Sequence, residues 1–233
     1  MNRETMSHHW FHLNSGPGPA AHNMAVDEAL LEHSGRIGGP ILRFYGWTEP
    51  AATFGYSQHY ADIAKLTRLR PLIRRMTGGG LVPHDADWTY ALVVPAGHDW
   101  YLLKATESYR RIHEWLQIAF AEIGVSTEVA PCCRKELPGQ CFVGWEQFDL
   151  LWQGKKIAGA AQRRNKLGLL IQGSVQPPPI GLSHSIWVQA MIETAHREWS
   201  VSWKPYPVDR VWEQRGADLV MEKYGSPDYN KRR

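Results

Sequence analysis

Arg74-Arg75-Met76-Thr77-Gly78-Gly79-Gly80-Leu81-Val82-Pro83-His84-Asp85 sets three consecutive glycines behind two arginines. Glycines let a backbone approach a ligand with no Cβ in the way and turn its N–H groups toward it. The flanking guanidinium groups add fixed positive charge, suited to a phosphate, a carboxylate or a developing oxyanion. Taken alone, a glycine triplet is also what many ordinary turns contain. A second stretch, Gly154-Lys155-Lys156-Ile157-Ala158-Gly159-Ala160-Ala161-Gln162-Arg163-Arg164, opens on a Gly-Lys-Lys turn and continues in small residues. Such a strand leaves room for a ligand along its length, and a lysine at its start can hold an ammonium over a carbonyl or phosphate. In isolation the same stretch reads as a hairpin turn with exposed lysines. The third is Cys141-Phe142, after the turn-like Pro138-Gly139-Gln140. A thiolate is the strongest nucleophile available near neutral pH and exchanges readily with thioesters, although most single cysteines are buried and inert. Cys132 and Cys133 are read as inert. The three cysteines match no zinc pattern and the 11 histidines show no ligand spacing, so no metal site is expected.

The elements that must position these residues follow from periodicity. A Gly/Pro-rich turn at Asn14 to Pro19 leads into a helix predicted from about Ala21 to His33, with Met24, Ala25, Ala29 and Leu30 on one face. Ile41 to Tyr45, Ala52 to Phe54 and Leu72 to Arg75 read as short strands, the last running straight into the glycine triplet. Thr89 to Val94 reads as a buried strand. Leu102, Ala105, Tyr109, Ile112, Leu116, Ala119 and Ile123 step by three or four, which predicts one helix from Tyr101 to Ile123 with Gly124 as its C-cap. Strands are expected at Phe148 to Trp152, Lys156 to Ala161 and Leu169 to Val175, the last two joined by the basic stretch Arg163 to Gly168. Helices are expected near Ser185 to Arg197 and Val208 to Tyr224. Strands and helices do not alternate strictly, so an α/β (α+β) fold is expected, with a mixed, largely antiparallel sheet flanked by helices.

The bulk composition narrows the function classes. With 43% apolar and 21% charged residues over 233 positions, the chain has the makeup of a folded globular domain. Eleven tryptophans are expected in core or cleft walls. A net charge of +3 is too mild for a nucleic-acid partner. Lys65, Arg68, Arg70, Arg74 and Arg75 nevertheless cluster, either as a docking patch for an acidic protein or as a solvated face. No apolar run approaches the ~20 residues of a membrane span. An odd, closely spaced cysteine set and a polar N-terminus point to the cytoplasm.

The order of the motifs resembles the lipoate-protein ligase and octanoyltransferase family, relatives of biotin-protein ligase. Asn23 to Leu30 resembles its opening helix. Leu42 to Trp47 with Thr53 to Gln58 resembles its first strands. The Arg-Arg-x-Thr-Gly-Gly-Gly-x-Val-x-His-Asp block is similar to its signature loop, and Gly154 to Gln162 to its lysine-bearing strand. The resemblance implies a single biotin/lipoate-ligase-type catalytic domain over residues 1–233, with no C-terminal accessory domain. It further implies an acyl chain bound in an apolar tunnel by Arg75, Thr77, Gly78, Gly79, Gly80, His84, Gly159 and Gly173, with Lys156 at the acyl carbonyl. One branch uses a cysteine, in the order Cys-Phe, aromatic–acidic pair, Gly-Lys/Arg-Lys. Cys141-Phe142, Phe148-Asp149 and Gly154-Lys155-Lys156 stand in that order. The expected activity is therefore transfer of an octanoyl or lipoyl group from acyl carrier protein, through a Cys141 thioester, to a lysine of a lipoyl domain or glycine-cleavage H protein. That route needs no cofactor. The rival readings are an ATP- and Mg-dependent lipoate ligase and a non-catalytic acyl- or carrier-binding protein. Two departures bear on acyl preference: Gln172-Gly173 stands where much of the family has His-Gly, and Ala160 replaces a common Ser.

Overall fold

Along Ile41–Trp47, Trp88–Pro95 and Gly168–Val175, consecutive residues point to opposite faces, and both faces are buried. Leu42, Phe44, Tyr90, Leu92, Val94, Leu169 and Ile171 enter one apolar cluster. Ile41, Tyr45, Ala91, Val93 and Leu170 enter another on the other side. A strand buried on both faces reads as a continuous apolar run, which is the pattern of these segments. In the computed structural model, which describes residues 9–135, 144–207 and 210–232, the strands are β1 (His9–Gly18), β2 (Ile41–Trp47), β3 (Ala51–Phe54), β4 (Leu72–Arg74), β5 (Val82–His84), β6 (Trp88–Pro95), β7 (Glu128–Val129), β8 (Arg134–Lys135), β9 (Gly144–Trp145), β10 (Leu150–Trp152), β11 (Lys155–Asn165), β12 (Gly168–Val175) and β13 (Ser202–Pro205). The helices are α1 (Ala20–Ile37), α2 (Tyr60–Leu66), α3 (Asp99–Leu102), α4 (Ala105–Glu122), α5 (His184–Trp199), α6 (Arg210–Leu219) and α7 (Pro227–Lys231).

Among the described residues, eight strands form the main sheet in the order β13-β1-β2-β6-β12-β11-β10-β7. β1 runs parallel to β13 and β2, and the remaining neighbours are antiparallel. The expected mixed, largely antiparallel sheet is thus present. α1 and α6 cover one face, and α4 and α5 cover the other. On the α4–α5 face, Trp10 meets Trp100, Trp115, Trp199 and Trp203 at centroid distances of 5.8–6.3 Å, so much of the tryptophan content is core. A second sheet, β4-β3-β5, carries the glycine triplet on the connection from β4 to β5.

Several predicted boundaries differ from those observed. Asn14 to Pro19 is not a free turn: β1 runs through to Gly18, and Gly16 and a bulge absorb the kink. The predicted Tyr101–Ile123 helix is two helices, because Leu103 and Lys104 are extended, with ψ near 150. Leu102 is 69% exposed, so no apolar contact holds the chain helical there. The third strand group begins at Leu150 rather than Phe148, whose φ of 74° breaks an extended run. Arg163, Arg164 and Asn165 belong to β11, so the expected basic loop shrinks to Lys166–Leu167. Past Leu219 the last long helix continues as a π turn to Tyr224.

Candidate active site

β4 delivers Arg75 to the start of the glycine connection, where its backbone N–H donates to Phe54 O. Its guanidinium turns inward and is 4% exposed. It donates to Thr53 Oγ1 at 2.8 Å and to the carbonyls of Gly78 at 2.8 Å and Gly80 at 2.9 Å. Much of the charge expected to face an anion therefore organises the loop from within. Gly79 holds φ 85° and brings its carbonyl against Gly55, where a Cβ would stand 2.0 Å from the oxygen. Only glycine fits that approach. Thr77 Oγ1 donates to Gln172 Oε1 at 2.7 Å, and the Gln172 amide nitrogen donates to Asp27 Oδ2 at 2.7 Å. One glutamine ties the loop, β12 and α1 together. Asp27 also takes a buried ion pair from Arg43 at 2.6 Å and a hydrogen bond from Tyr45. Burial and the Asp27 charge push Tyr45 well above its usual range, so it stays a neutral donor.

His84, on β5, is used at both ring nitrogens. Nδ1–H donates to Asp87 Oδ2 at 2.8 Å, and Nε2 is hydrogen-bonded to the Thr53 hydroxyl at 2.8 Å. Asp87 Oδ2 also accepts from Ser174 at 2.6 Å and Thr89 at 3.1 Å. The Trp47 ring stacks on the imidazole with centroids 3.8 Å apart. The chain Arg75–Thr53–His84–Asp87 runs from a cation to a carboxylate. Such a network holds β3, β5 and the loop in one arrangement.

Lys156 lies at the start of β11, where the register with β10 slips between Leu150 and Leu151. Its Nζ is 2.7 Å from Asp149 Oδ2, with side-chain exposures of 6% and 0%. Asp149 also accepts from Tyr109 Oη at 2.5 Å and from the Glu146 N–H at 2.7 Å. Burial and the Asp149 charge raise Tyr109 well above its ordinary value, which keeps it a donor. The missing side chain of Gly159 makes room for the ammonium, since a Cβ there would lie 2.6 Å from Lys156 Cε and Nζ. Gly173 lies under the Tyr90 ring, 2.1 Å from where its own Cβ would be.

These pieces surround a narrow, largely apolar cleft with a free volume of about 40 Å³. Of the residues expected to form the site, Arg75, His84, Lys156, Gly159 and Gly173 line it, together with Met24, Val82 and Ala160. Thr77, Gly78, Gly79 and Gly80 do not line it; they lie on the connection between Arg75 and Val82, which do. Cys141 lies outside the described residues, three positions before β9. Asp149, Tyr109 and Asp87 were not among the expected site residues. The Phe148-Asp149 pair seven positions before Lys156 was the one signal for Asp149, whereas Tyr109 read only as a helix-face residue. Gln172, a departure from the family pattern, proves to be the loop's anchor. The basic cluster divides: Lys65, Arg68 and Arg70 are exposed, while Arg74 and Arg75 are buried. Among the described residues no group of three or more His, Cys, Asp or Glu side chains converges as metal ligands, and no helix is long and apolar enough to cross a membrane.

Comparison with known proteins agrees with this geometry. A model of the lipoyl protein ligase A/B catalytic domain matches residues 19–176, more than half of the chain. An octanoyltransferase LipM from Staphylococcus aureus is 35% identical over 184 residues, covering 73% of this chain and 66% of the relative. The chain thus spans just under two thirds of that relative's length. Among solved structures, a lipoate-protein ligase A bound with ATP superposes with a TM-score of 0.76 at 21% identity, over 97% of this chain and 99% of the other. A bi-partite lipoate protein ligase from Thermoplasma acidophilum, solved with its E2 lipoyl domain, gives 0.70 at 20% identity, over 97% and 96%. These two share the fold.

Proposed function

We propose that this chain, which belongs to the lipoyl protein ligase A/B catalytic-domain family, transfers an octanoyl group from the thioester of an acyl carrier protein to a lysine of a lipoyl domain or H protein. The observation that carries the reading is a lysine ammonium at the wall of an apolar cleft, held by a buried carboxylate. The S. aureus relative, named an octanoyltransferase, supports the acyl group chosen. The path of the chain supports Cys141 as the nucleophile. Five positions after it, the Glu146 N–H is bonded to the carboxylate that holds Lys156, and β9 lies beside β11.

In the first half-reaction the Cys141 thiolate attacks the donor thioester carbonyl. The C–S bond to the carrier breaks, the carrier thiolate departs, and an octanoyl-cysteine remains. In the second, the neutral ε-amine of the target lysine attacks that carbonyl. The bond to Cys141 breaks, the amine loses a proton to solvent, and an amide forms. Thioester exchange is near neutral in free energy and amide formation runs downhill, so neither step calls for ATP. The Lys156 ammonium faces the oxyanion of both tetrahedral intermediates, and one such preorganised donor is worth about 3–4 kcal/mol. The octanoyl tail packs against Met24, Val82, Ala160 and Gly173, while the Thr77–Gln172–Asp27 link holds the glycine loop in place.

Octanoyl-carrier-protein, incubated with the protein without ATP and followed by intact mass, tests this. The expected result is one octanoyl adduct, absent in Cys141→Ala, that passes to a lipoyl domain. Absence of an adduct, with product formed only when ATP and free lipoate are supplied, would overturn the transferase reading in favour of a ligase. Acyl binding with neither adduct nor product would leave a binding protein.

A further inference from the structure

Asp149 is fully buried, and each of its oxygens is engaged. A buried carboxylate beside an ammonium keeps its geometry only if its other lone pairs are satisfied. That service comes from α4, a helix packed against the sheet. Tyr109 Oη donates to Asp149 Oδ1 at 2.5 Å and accepts from the Ala160 N–H at 3.3 Å. One hydroxyl thus joins the carboxylate to the strand that forms the cleft wall. The ring is fixed from behind. His113, one helical turn on, lies against it with centroids 4.4 Å apart, and His113 Nδ1–H donates to Tyr109 O at 2.8 Å. His113 Nε2 is buried without a partner among the described residues, and burial holds the imidazole neutral, with its pKa pushed down to about 4.

We propose that Tyr109 is a positioning residue for the transfer reaction: through Asp149 it sets where the Lys156 ammonium stands over the cleft. The assignment rests on the transferase reading above. Tyr109 touches no reacting atom, and its effect is on placement alone. Without its hydroxyl, Asp149 Oδ1 loses its donor, the carboxylate can rotate about χ2, and Lys156 follows.

The test uses Tyr109→Phe, which keeps the ring against His113, and Asp149→Asn as a second variant that keeps the side-chain shape. Competitive acetylation of the full chain reports the Lys156-to-Lys155 ratio, with exposed Lys155 as the internal reference. Loss of one charge-assisted bond should raise that ratio roughly 10-fold in Tyr109→Phe, and at least as much in Asp149→Asn. Octanoyl transfer should lose roughly 10-fold in kcat while KM shifts by less than about twofold. A general packing defect would instead raise labelling of part-buried Lys223 as well and lower the melting temperature in step. Should Tyr109→Phe fail to fold, the Asp149→Asn ratio decides the matter. An unchanged labelling ratio in the variants, where the wild-type chain transfers octanoyl groups, overturns the positioning role alone. A raised ratio in a chain with no wild-type transfer overturns the reaction to which that role is assigned.

Discussion

Substituting Gly159 by alanine places one methyl group where the lysine ammonium now sits. The new Cβ would stand 2.6 Å from Lys156 Cε and Nζ and 3.0 Å from Asp149 Oδ1. Non-bonded heavy atoms settle at about 3.5–4.0 Å, so the ammonium must retreat by about 1 Å. It starts 2.7 Å from Asp149 Oδ2, and a retreat of that size carries it beyond hydrogen-bond range. A hydrogen bond between charged groups contributes about 1.5–3 kcal/mol. At about 1.4 kcal/mol per decade, kcat for octanoyl transfer should fall roughly 10- to 150-fold. Stability should fall by a comparable amount, about 1.5–3 kcal/mol, because the pair that is lost is buried, although Asp149 retains its Tyr109 and Glu146 donors. Single-turnover transfer at saturating donor gives the first quantity. Urea unfolding followed by tryptophan fluorescence gives the second. A variant that transfers within about threefold of wild type would show that the Lys156–Asp149 contact does not set the rate.

Gly173→Ala should act through core packing rather than through the ion pair. Its Cβ would stand 2.1 Å from Cζ of Tyr90, a fully buried ring rather than a loose end, so overpacking should cost about 3 kcal/mol in urea unfolding; a variant as stable as wild type would contradict the packing described. Stability should also depend on pH through His113, whose folded pKa of about 4 lies below the unfolded value of about 6.5. As pH falls through that window the unfolded chain takes the proton first, so stability present above pH ~6.5 is lost progressively toward pH ~4, by up to about 3 kcal/mol. Urea midpoints across this range, compared with His113→Phe, isolate the component.

The parts of this site that could be read in the sequence are those whose residue types are unusual locally. A glycine triplet behind arginines, and a Gly-Lys-Lys turn opening a run of small residues, announce close approach and charge without reference to the rest of the fold. The covered strands were legible because β2, β6 and β12 are apolar at both parities. What could not be read depends on distance in sequence. Tyr109 steps in phase with the apolar face of α4, and nothing local separates a tyrosine that fills core from one whose hydroxyl reaches Asp149, 40 positions away. Arg75 was expected to offer charge to a ligand, but the fold turns three of its contacts onto Thr53, Gly78 and Gly80. β1 was obscured because a Gly/Pro-rich stretch signals a turn, and its parallel partners β13 and β2 are distant along the chain.

The caging of Arg74 reaches furthest along the polypeptide. This guanidinium, on the strand that feeds the glycine loop, is fully buried and donates to the carbonyls of Tyr56, Gln58, Tyr229 and Asn230. Its own N–H donates to Asn230 Oδ1. Two of the four carbonyls come from the last few described residues. A fragment trimmed to the family-matched stretch ending at residue 176 would therefore strand a permanently charged group in a socket missing half of these acceptors, directly behind the glycine loop. The far tail of the chain is a working component of the site's foundation, and an affinity handle grafted at that end needs a spacer long enough to leave Tyr229 and Asn230 seated.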